Sequence, residues 1–160
     1  MPLSNTAWKR GNSSMNIQPD FEDFLRLLEA HHVEYMIVGG YAVAFHGYPR
    51  FTKDIDVFFE VSPTNLDRLT CALVDFGFQE QSVPRDALGA PGKVLAIGVE
   101  PVRIDLLNQI SGLTYSEARN GTVRGQYGDV TVTFIGLEDL IRNKDSTTRA
   151  KDKADVEELR

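Results

Sequence analysis

Two consecutive glycines separate an apolar run from an apolar, alanine-containing segment in YMIVGGYAVAFHGYPRFTKDIDVFF. The pattern predicts a strand over 33–38, a helix over 41–45 that begins at Gly39 and Gly40, and a second strand over 55–61. The chain must therefore pass from a strand into a helix through a tight glycine turn, and such a unit favours an α/β fold.

The rest of the chain predicts further helices and strands. A helix is expected from Ser62 and Pro63, which suit an N-cap and a first turn, to near Gly77. Its apolar face is predicted to carry Leu66, Leu69, Leu73 and Val74. Other helices are predicted over 19–30, 137–143 and 150–159, strands over 94–99, 102–107 and 130–135, and an irregular loop over 83–92. Because the two strands within 94–107 suit a hairpin, the sequence predicts a mixed sheet.

The composition suits a single globular domain. The 160 residues are 42% hydrophobic and 25% charged, and the net charge of −6 leaves no global basic footprint for nucleic acid. The lone Cys71 cannot form an internal disulfide, which fits the cytoplasm, and no apolar run is long enough for a membrane span. Residues 1–16, rich in Ser, Asn and Gly, are predicted to be a flexible N-terminal arm, and 17–160 one domain.

Two carboxylates open the second predicted strand. Side chains alternate along a strand, so Asp54 and Asp56 point to the same face. Like charges this close repel unless a cation lies between them, and Mg²⁺ commonly binds one or two carboxylates together with substrate phosphates. The alternative is a solvated strand start with two surface acids.

A third carboxylate lies within another apolar run, VRIDLL. Arg103 and Asp105 share one face of that predicted strand, and pairing of Arg103 with an acid at the sheet surface is one explanation of Asp105. If this strand lies beside DIDVFF, three carboxylates converge on one patch. Such a patch suits two metal ions and an in-line phosphoryl displacement.

The glycines and the loop after them are suited to phosphate binding. Gly39 and Gly40 would expose backbone N–H groups at a helix start, although a tight turn explains them equally well. No Walker loop is present. In the segment before the acids, Arg50 and Thr52 would orient phosphates or shape the turn, and Lys53 suits a salt bridge.

These motifs together resemble the signature of the DNA polymerase β-type nucleotidyltransferase superfamily. The matching residues are Val38-Gly39-Gly40, the pair in Asp54-Ile55-Asp56, and Asp105 in RIDLL. The RFTKDID form is similar to minimal bacterial nucleotidyltransferases, including the type IV toxin-like enzymes related to abortive-infection systems. Many relatives carry Gly-Ser where this chain has Gly39-Gly40, so that here the backbone alone would take the place of the serine hydroxyl on phosphate.

The C-terminal segment GLEDLIRNKDSTTRAKDKADVEEL also resembles the end of such small enzymes. The resemblance gives Lys144 and Lys151 a phosphate-binding role and makes Asp152 a polar partner of the site. From composition alone, the same residues form a charged, solvated amphipathic helix.

The resemblance implies a mixed β-sheet with helices mainly on one face, and a cytoplasmic enzyme dependent on Mg²⁺ or Mn²⁺. It implies transfer of a nucleoside monophosphate from an NTP such as ATP to an RNA 3′ end or a protein hydroxyl, with release of pyrophosphate. Asp54, Asp56 and Asp105 would be the catalytic residues and metal ligands. It also implies a toxin with a cognate antitoxin. The alternative is a catalytically inactive module of this fold that binds a nucleotide or a protein partner.

Overall fold

A computed structural model describes residues 17–48, 51–99 and 102–160, so the predicted arm at 1–16 lies outside the described residues. The helices in these ranges are α1 (Pro19–Ala30), α2 (Gly39–Phe45), α3 (Pro63–Phe76), α4 (Arg85–Gly89), α5 (Tyr115–Arg119), α6 (Leu137–Asp145) and α7 (Ala150–Leu159). The strands are β1 (Tyr35–Val38), β2 (Asp54–Phe59), β3 (Val94–Val99), β4 (Val102–Leu107), β5 (Val123–Tyr127) and β6 (Val130–Phe134). Within these described ranges, none of the helices is long and apolar enough to cross a bilayer.

The strands form one six-stranded sheet in the order β3-β4-β2-β1-β6-β5. The central pairs β2–β4 and β1–β6 are parallel, whereas β1–β2, β3–β4 and β5–β6 are antiparallel. The prediction of a mixed sheet in an α/β fold is therefore confirmed. The parallel β2–β4 pair, which lies inside the sheet, is the one that builds the candidate site.

Helix α1 forms because proline starts it, acids occupy its first turn and its apolar residues recur at helical spacing. Four of them, Phe21, Phe24, Leu25 and Leu28, are fully buried. The helix packs against α3 and β6, and the ring of Phe24 meets that of Phe76 at 5.1 Å between centroids. This packing buries the apolar face of α1 against β6 of the sheet and against α3.

Helix α3 has the predicted caps. The Ser62 hydroxyl accepts a hydrogen bond from the Asn65 backbone N–H at 3.1 Å, and Gly77 ends the helix with a φ of 132°. The predicted apolar face is wrong at one residue, since Val74 is 36% exposed and Ala72 is fully buried in its place. The buried stripe of α3 is therefore turned toward Ala72 and away from Val74.

The structure contains elements that the sequence patterns did not predict. The segment expected to be an irregular loop contains α4, and the chain between β4 and β6 forms α5 and β5. Helix α5 begins with a capping box, in which the Thr114 hydroxyl and the Glu117 carboxylate each accept a backbone hydrogen bond from the other residue. Strand β5, VRGQY, carries too few apolar residues for its pattern to be seen, and it forms because it pairs with β6.

Candidate active site

The parallel pairing of β2 with β4 brings the three predicted carboxylates together. Asp56 pairs with Asp105, and Asp54 pairs with Arg103. Directly paired residues project to the same face, and adjacent strands lie about 4.8 Å apart. The carboxylates therefore share one face of the sheet, whereas the intervening Ile55 is buried on the other. The sequence predicted that the carboxylates converge if the VRIDLL strand lies beside DIDVFF, and the two strands do pair. The roles of these side chains in catalysis stay predictions.

The glycine turn lies directly against one of these carboxylates. Gly39 has a φ of +69°, a conformation that side chains with a Cβ rarely adopt. A Cβ at this position would lie 2.1 Å from Asp56 Oδ2, far inside contact distance. Two independent constraints thus require glycine at position 39, and the second shows that the Asp56 carboxylate rests on the backbone of the turn.

The second glycine of the turn faces Thr52. A Cβ at Gly40 would lie 2.8 Å from both Oγ1 and Cγ2 of Thr52. The Thr52 hydroxyl oxygen is buried and has no hydrogen-bond partner among the residues that the structure describes. A buried polar group of this kind calls for a partner, so the Thr52 hydroxyl is suited to bind a ligand that enters the turn. Arg50, the other residue predicted for this role, lies outside the described residues.

Arg103 bridges two of the carboxylates. Its Nη2 donates a hydrogen bond to Asp105 Oδ2 at 3.1 Å and lies 2.9 Å from Asp54 Oδ2, while its Nε lies 3.1 Å from Asp105 Oδ1. The pairing of Arg103 with an acid, considered from the sequence as an explanation of Asp105, is therefore present, but inside the carboxylate cluster. In the described chain, no group of three or more His, Cys, Asp or Glu side chains is arranged to hold a metal ion as it stands.

The electrostatics of the cluster single out Asp56. Burial, followed by the charges of Asp105 and Asp54, raises the pKa of Asp56 to about 7. The charges of Lys144 and Lys151 act in the opposite direction. A carboxylate held at such a cost in free energy is typical of a functional site, because a bound cation or a proton removes the cost.

Helices α6 and α7 are joined beside Asp56 by a buried ionic cluster. The Lys144 ammonium, with a side chain only 6% exposed, lies 3.1 Å from Asp152 Oδ1 and 2.8 Å from Asp155 Oδ2. Asp152 also accepts hydrogen bonds from Thr147 at 2.7 Å and from Arg149 at 2.8 Å. Burial alone would raise the pKa of Asp152, but these hydrogen bonds outweigh it and hold that pKa well below its ordinary value.

Two cavities meet at Asp56. One, of about 450 Å³, is polar, and its described lining includes the diglycine turn, the three carboxylates and five basic residues: Lys53, Arg103, Lys144, Arg149 and Lys151. The other, of about 560 Å³, has a partly apolar wall from Val38, Leu107 and Ile110, and a run of hydroxyls at Ser146, Thr147 and Thr148. The first therefore suits an anionic group and the second a less charged one.

The structure gathers most of the predicted site residues in the polar cavity: Gly39, Gly40, Thr52, Asp54, Asp56, Asp105, Lys144 and Lys151. Asp152 lines the neighbouring cavity and supports Lys144. Arg149 was not predicted as a site residue, although it lines both cavities. The signal that could have found it is its place in the C-terminal segment, directly before the first turn of α7, which carries Lys151 and Asp152.

Comparison with known proteins agrees with this fold. Residues 18–160 match the family described as nucleotidyl transferase of unknown function (DUF2204). Among solved structures, an antigenic nucleotidyltransferase-like protein from Paracoccidioides brasiliensis is 16% identical, with a TM-score of 0.51 over 88% of this chain and 74% of that chain, a likeness that concerns the fold alone. No curated protein matches the sequence. Since the family match extends over nearly the whole chain, the protein belongs to this nucleotidyl transferase family.

Proposed function

We propose that the protein is a metal-dependent nucleotidyltransferase that moves a nucleoside monophosphate from an NTP to an RNA 3′ end or a protein hydroxyl. The observation that carries the proposal is the placement of Asp56 beside Asp105 and against Gly39, in the wall of a cavity that five basic side chains also line. Phosphoryl transfer of this kind needs little covalent chemistry from the protein, and depends on positioning and charge stabilisation.

The chemistry of the donor set suits a divalent cation, although in the described residues the side chains are not arranged around one as they stand. Asp54, Asp56 and Asp105 offer oxygen ligands on one sheet face. Burial and then the charges of the two other carboxylates raise the pKa of Asp56, and a bound cation would offset both effects. These three residues would hold Mg²⁺, or Mn²⁺ in its place. When bound, the metal would neutralise the triphosphate and polarise the reacting phosphorus.

The polar cavity would receive the triphosphate. Backbone N–H groups of Gly39 and Gly40 and the Thr52 hydroxyl would bind phosphate oxygens at the turn. Across the cavity, Arg149 and the exposed Lys151 would neutralise charge as pyrophosphate leaves. Lys144 would contribute mainly by its field, because two aspartates already bind its ammonium. The neighbouring cavity is large enough to take the nucleoside.

The proposed transfer step forms one bond to phosphorus, breaks another and moves one proton. The acceptor hydroxyl oxygen would form a bond to the α-phosphorus, and the bond from that phosphorus to the bridging oxygen would break, releasing pyrophosphate. Asp105 would take the proton of the acceptor hydroxyl. A net charge of −6 argues against a broad basic surface for RNA, so an RNA acceptor would be bound by its end.

A second candidate is a catalytically inactive binding module. The contacts of Arg103 with Asp54 and Asp105 favour it, since two of the three carboxylates already have a cationic partner. Such a module would bind nucleotide in calorimetry without releasing pyrophosphate in any acceptor mixture.

The decisive experiment incubates the protein with each α-phosphate-labelled NTP and Mg²⁺, together with total RNA or total protein. The proposal predicts labelled acceptor and pyrophosphate with the wild type and none with Asp56→Asn. Asp86→Asn is the matched control, because Asp86 is exposed on α4 and is not part of either cavity wall. Transfer by Asp56→Asn at the wild-type rate would refute the assigned roles. In cells, growth arrest that depends on Asp56 would support a toxin with a cognate antitoxin in the cytoplasm.

A further inference from the structure

Arg103 occupies the position in which a cation is expected. It lies on the same face of β4 as Asp105, two residues away, and is paired in register with Asp54 of β2. Its guanidinium thereby reaches both oxygens of Asp105 and one oxygen of Asp54, at 2.9 to 3.1 Å. The arrangement is a fixed consequence of strand register, because residues i and i+2 share a face.

The guanidinium and a divalent cation would compete for the same oxygens. Mg²⁺ binds oxygen at about 2.0–2.1 Å in near-octahedral geometry. An oxygen at that distance from the metal cannot keep a close guanidinium on the same side, since two cations would then approach within a few ångströms. The Arg103 side chain is 36% exposed and lines the open polar cavity, so it has space into which it can turn.

We propose that Arg103 is a built-in counter-ion of the carboxylate cluster, which holds Asp54 and Asp105 in place before a divalent cation arrives and is released when the cation binds. This inference rests on the proposed function only for the expectation that the cluster binds a divalent cation. Arg103 is thus a positioning residue. It keeps like charges from spreading apart, and it weakens cation binding when no nucleotide is present.

The released guanidinium would gain a new partner in the cavity. Arginine forms strong, often bidentate hydrogen bonds to phosphate, and the polar cavity that Arg103 lines also contains the diglycine turn. A nucleoside triphosphate would therefore favour the released position, so nucleotide and divalent cation would each strengthen the binding of the other.

The test measures cation binding without any turnover. Mn²⁺ binding to the full chain is followed by electron paramagnetic resonance and calorimetry, with and without a non-hydrolysable NTP analogue. We expect Arg103→Met to bind Mn²⁺ about tenfold more tightly than the wild type without nucleotide, because a competing positive charge is gone. Its gain in Mn²⁺ affinity on adding the analogue should be smaller than that of the wild type. The Mn²⁺ affinity of Arg103→Lys, which keeps the positive charge, should be closer to that of the wild type.

Arg124→Met is the matched control. Arg124 is also an arginine paired with an acid, since it donates hydrogen bonds to both oxygens of Glu29 at 3.0 Å, and its removal changes the net charge equally. It lines neither cavity at Asp56. An equal rise in Mn²⁺ affinity in Arg124→Met would overturn the inference, because bulk charge would then explain the result.

A measurement on the wild type covers the case in which Arg103→Met does not fold. The side-chain N–H signals of Arg103, identified by their loss in Arg103→Lys, should shift when Mg²⁺ is added, and those of Arg124 should not. Unchanged Arg103 signals at saturating Mg²⁺ would overturn the inference. Transfer of labelled nucleotide by the wild type is measured separately. If the wild type transfers nucleotide but Arg103→Met binds Mn²⁺ no more tightly, only this inference is overturned. If Mn²⁺ affinity depends on Arg103 but no transfer occurs, this inference is supported and the proposed enzyme is overturned.

Discussion

Asp56 Oδ2 rests against the Cα of Gly39, so closely that a methyl group on that carbon would lie 2.1 Å from it. The last residue of β1 pairs with Asp56, and Gly39 follows it directly in the chain. The turn and the carboxylate are thus one structural unit. A change in either is expected to disturb the other, and this can be tested at several positions.

The first prediction concerns Gly39→Ala. The substitution adds strain at a φ of +69° and a clash with Asp56, so we expect loss of about 2–4 kcal/mol in the free energy of unfolding and loss of nucleotidyl transfer. Urea denaturation and the labelled-NTP assay measure the two effects. Gly47→Ala is the control, because Gly47 has a φ of +104° but nothing within 4 Å of an added Cβ. Equal costs at both positions would show that the contact with Asp56 contributes nothing.

The second prediction concerns the other glycine of the turn. Gly40→Ser should impair folding and nucleotide binding, because its Cβ would lie 2.8 Å from Thr52 Oγ1 and Cγ2. Thr52→Ala removes those two atoms and leaves Cβ to Cβ at 3.4 Å, so the double variant should fold and carry a hydroxyl at position 40 instead. Calorimetry with an NTP analogue checks the expected rescue. If Gly40→Ser alone binds the NTP analogue as tightly as the wild type does, the steric argument is wrong.

The third prediction concerns the buried pairs of Lys144. Lys144→Met leaves Asp152 and Asp155 in a buried site with one cation fewer, and loss of one partner from such a pair costs about 3–5 kcal/mol. We expect a matching fall in the free energy of unfolding in urea. Lys153→Met is the control, since its pair with Asp145 is about half exposed and worth about 1 kcal/mol at most. A similar loss in both variants would contradict the importance of burial.

The fourth prediction is a dependence of stability on pH. The pKa of Asp56 rises to about 7 in the folded protein, from about 3.9 in an unfolded chain. Between these values the folded protein keeps a proton that the unfolded chain releases. The contribution of Asp56 to stability is therefore fully present below about pH 4 and is lost as the pH rises through about 7.

Asp56→Asn removes this dependence. In EDTA, its free energy of unfolding relative to the wild type should rise between roughly pH 4 and pH 7, by an amount on the order of a few kcal/mol. Urea titrations of both proteins at each pH give the difference. A flat difference for Asp56→Asn would mean that the pKa of this carboxyl is not raised in the folded protein.

The sequence predicts some of these features better than others, for physical reasons. Helix α1 starts at a proline with acids in its first turn, and α3 is capped by Ser62 and Gly77. Both also have strong helical periodicity, so local signals are enough to find them. The shared face of Asp54 and Asp56 follows from alternation alone. The contact of Arg103 with Asp54 depends on the register of two strands far apart in the chain, which no local pattern encodes. Burial of Lys144 likewise requires α7 to fold back on α6.

The ionic cluster between α6 and α7 links the position of these helices to the pKa of Asp56. Lys144 and Lys151 stand on these two helices, and both lower the pKa of Asp56 although neither belongs to the sheet. Any event that loosens the final helix would thus alter the proton affinity of a strand residue through the electric field alone. The proton affinity of Asp56 would therefore depend on the position of helix α7 as well as on the carboxylates of the sheet.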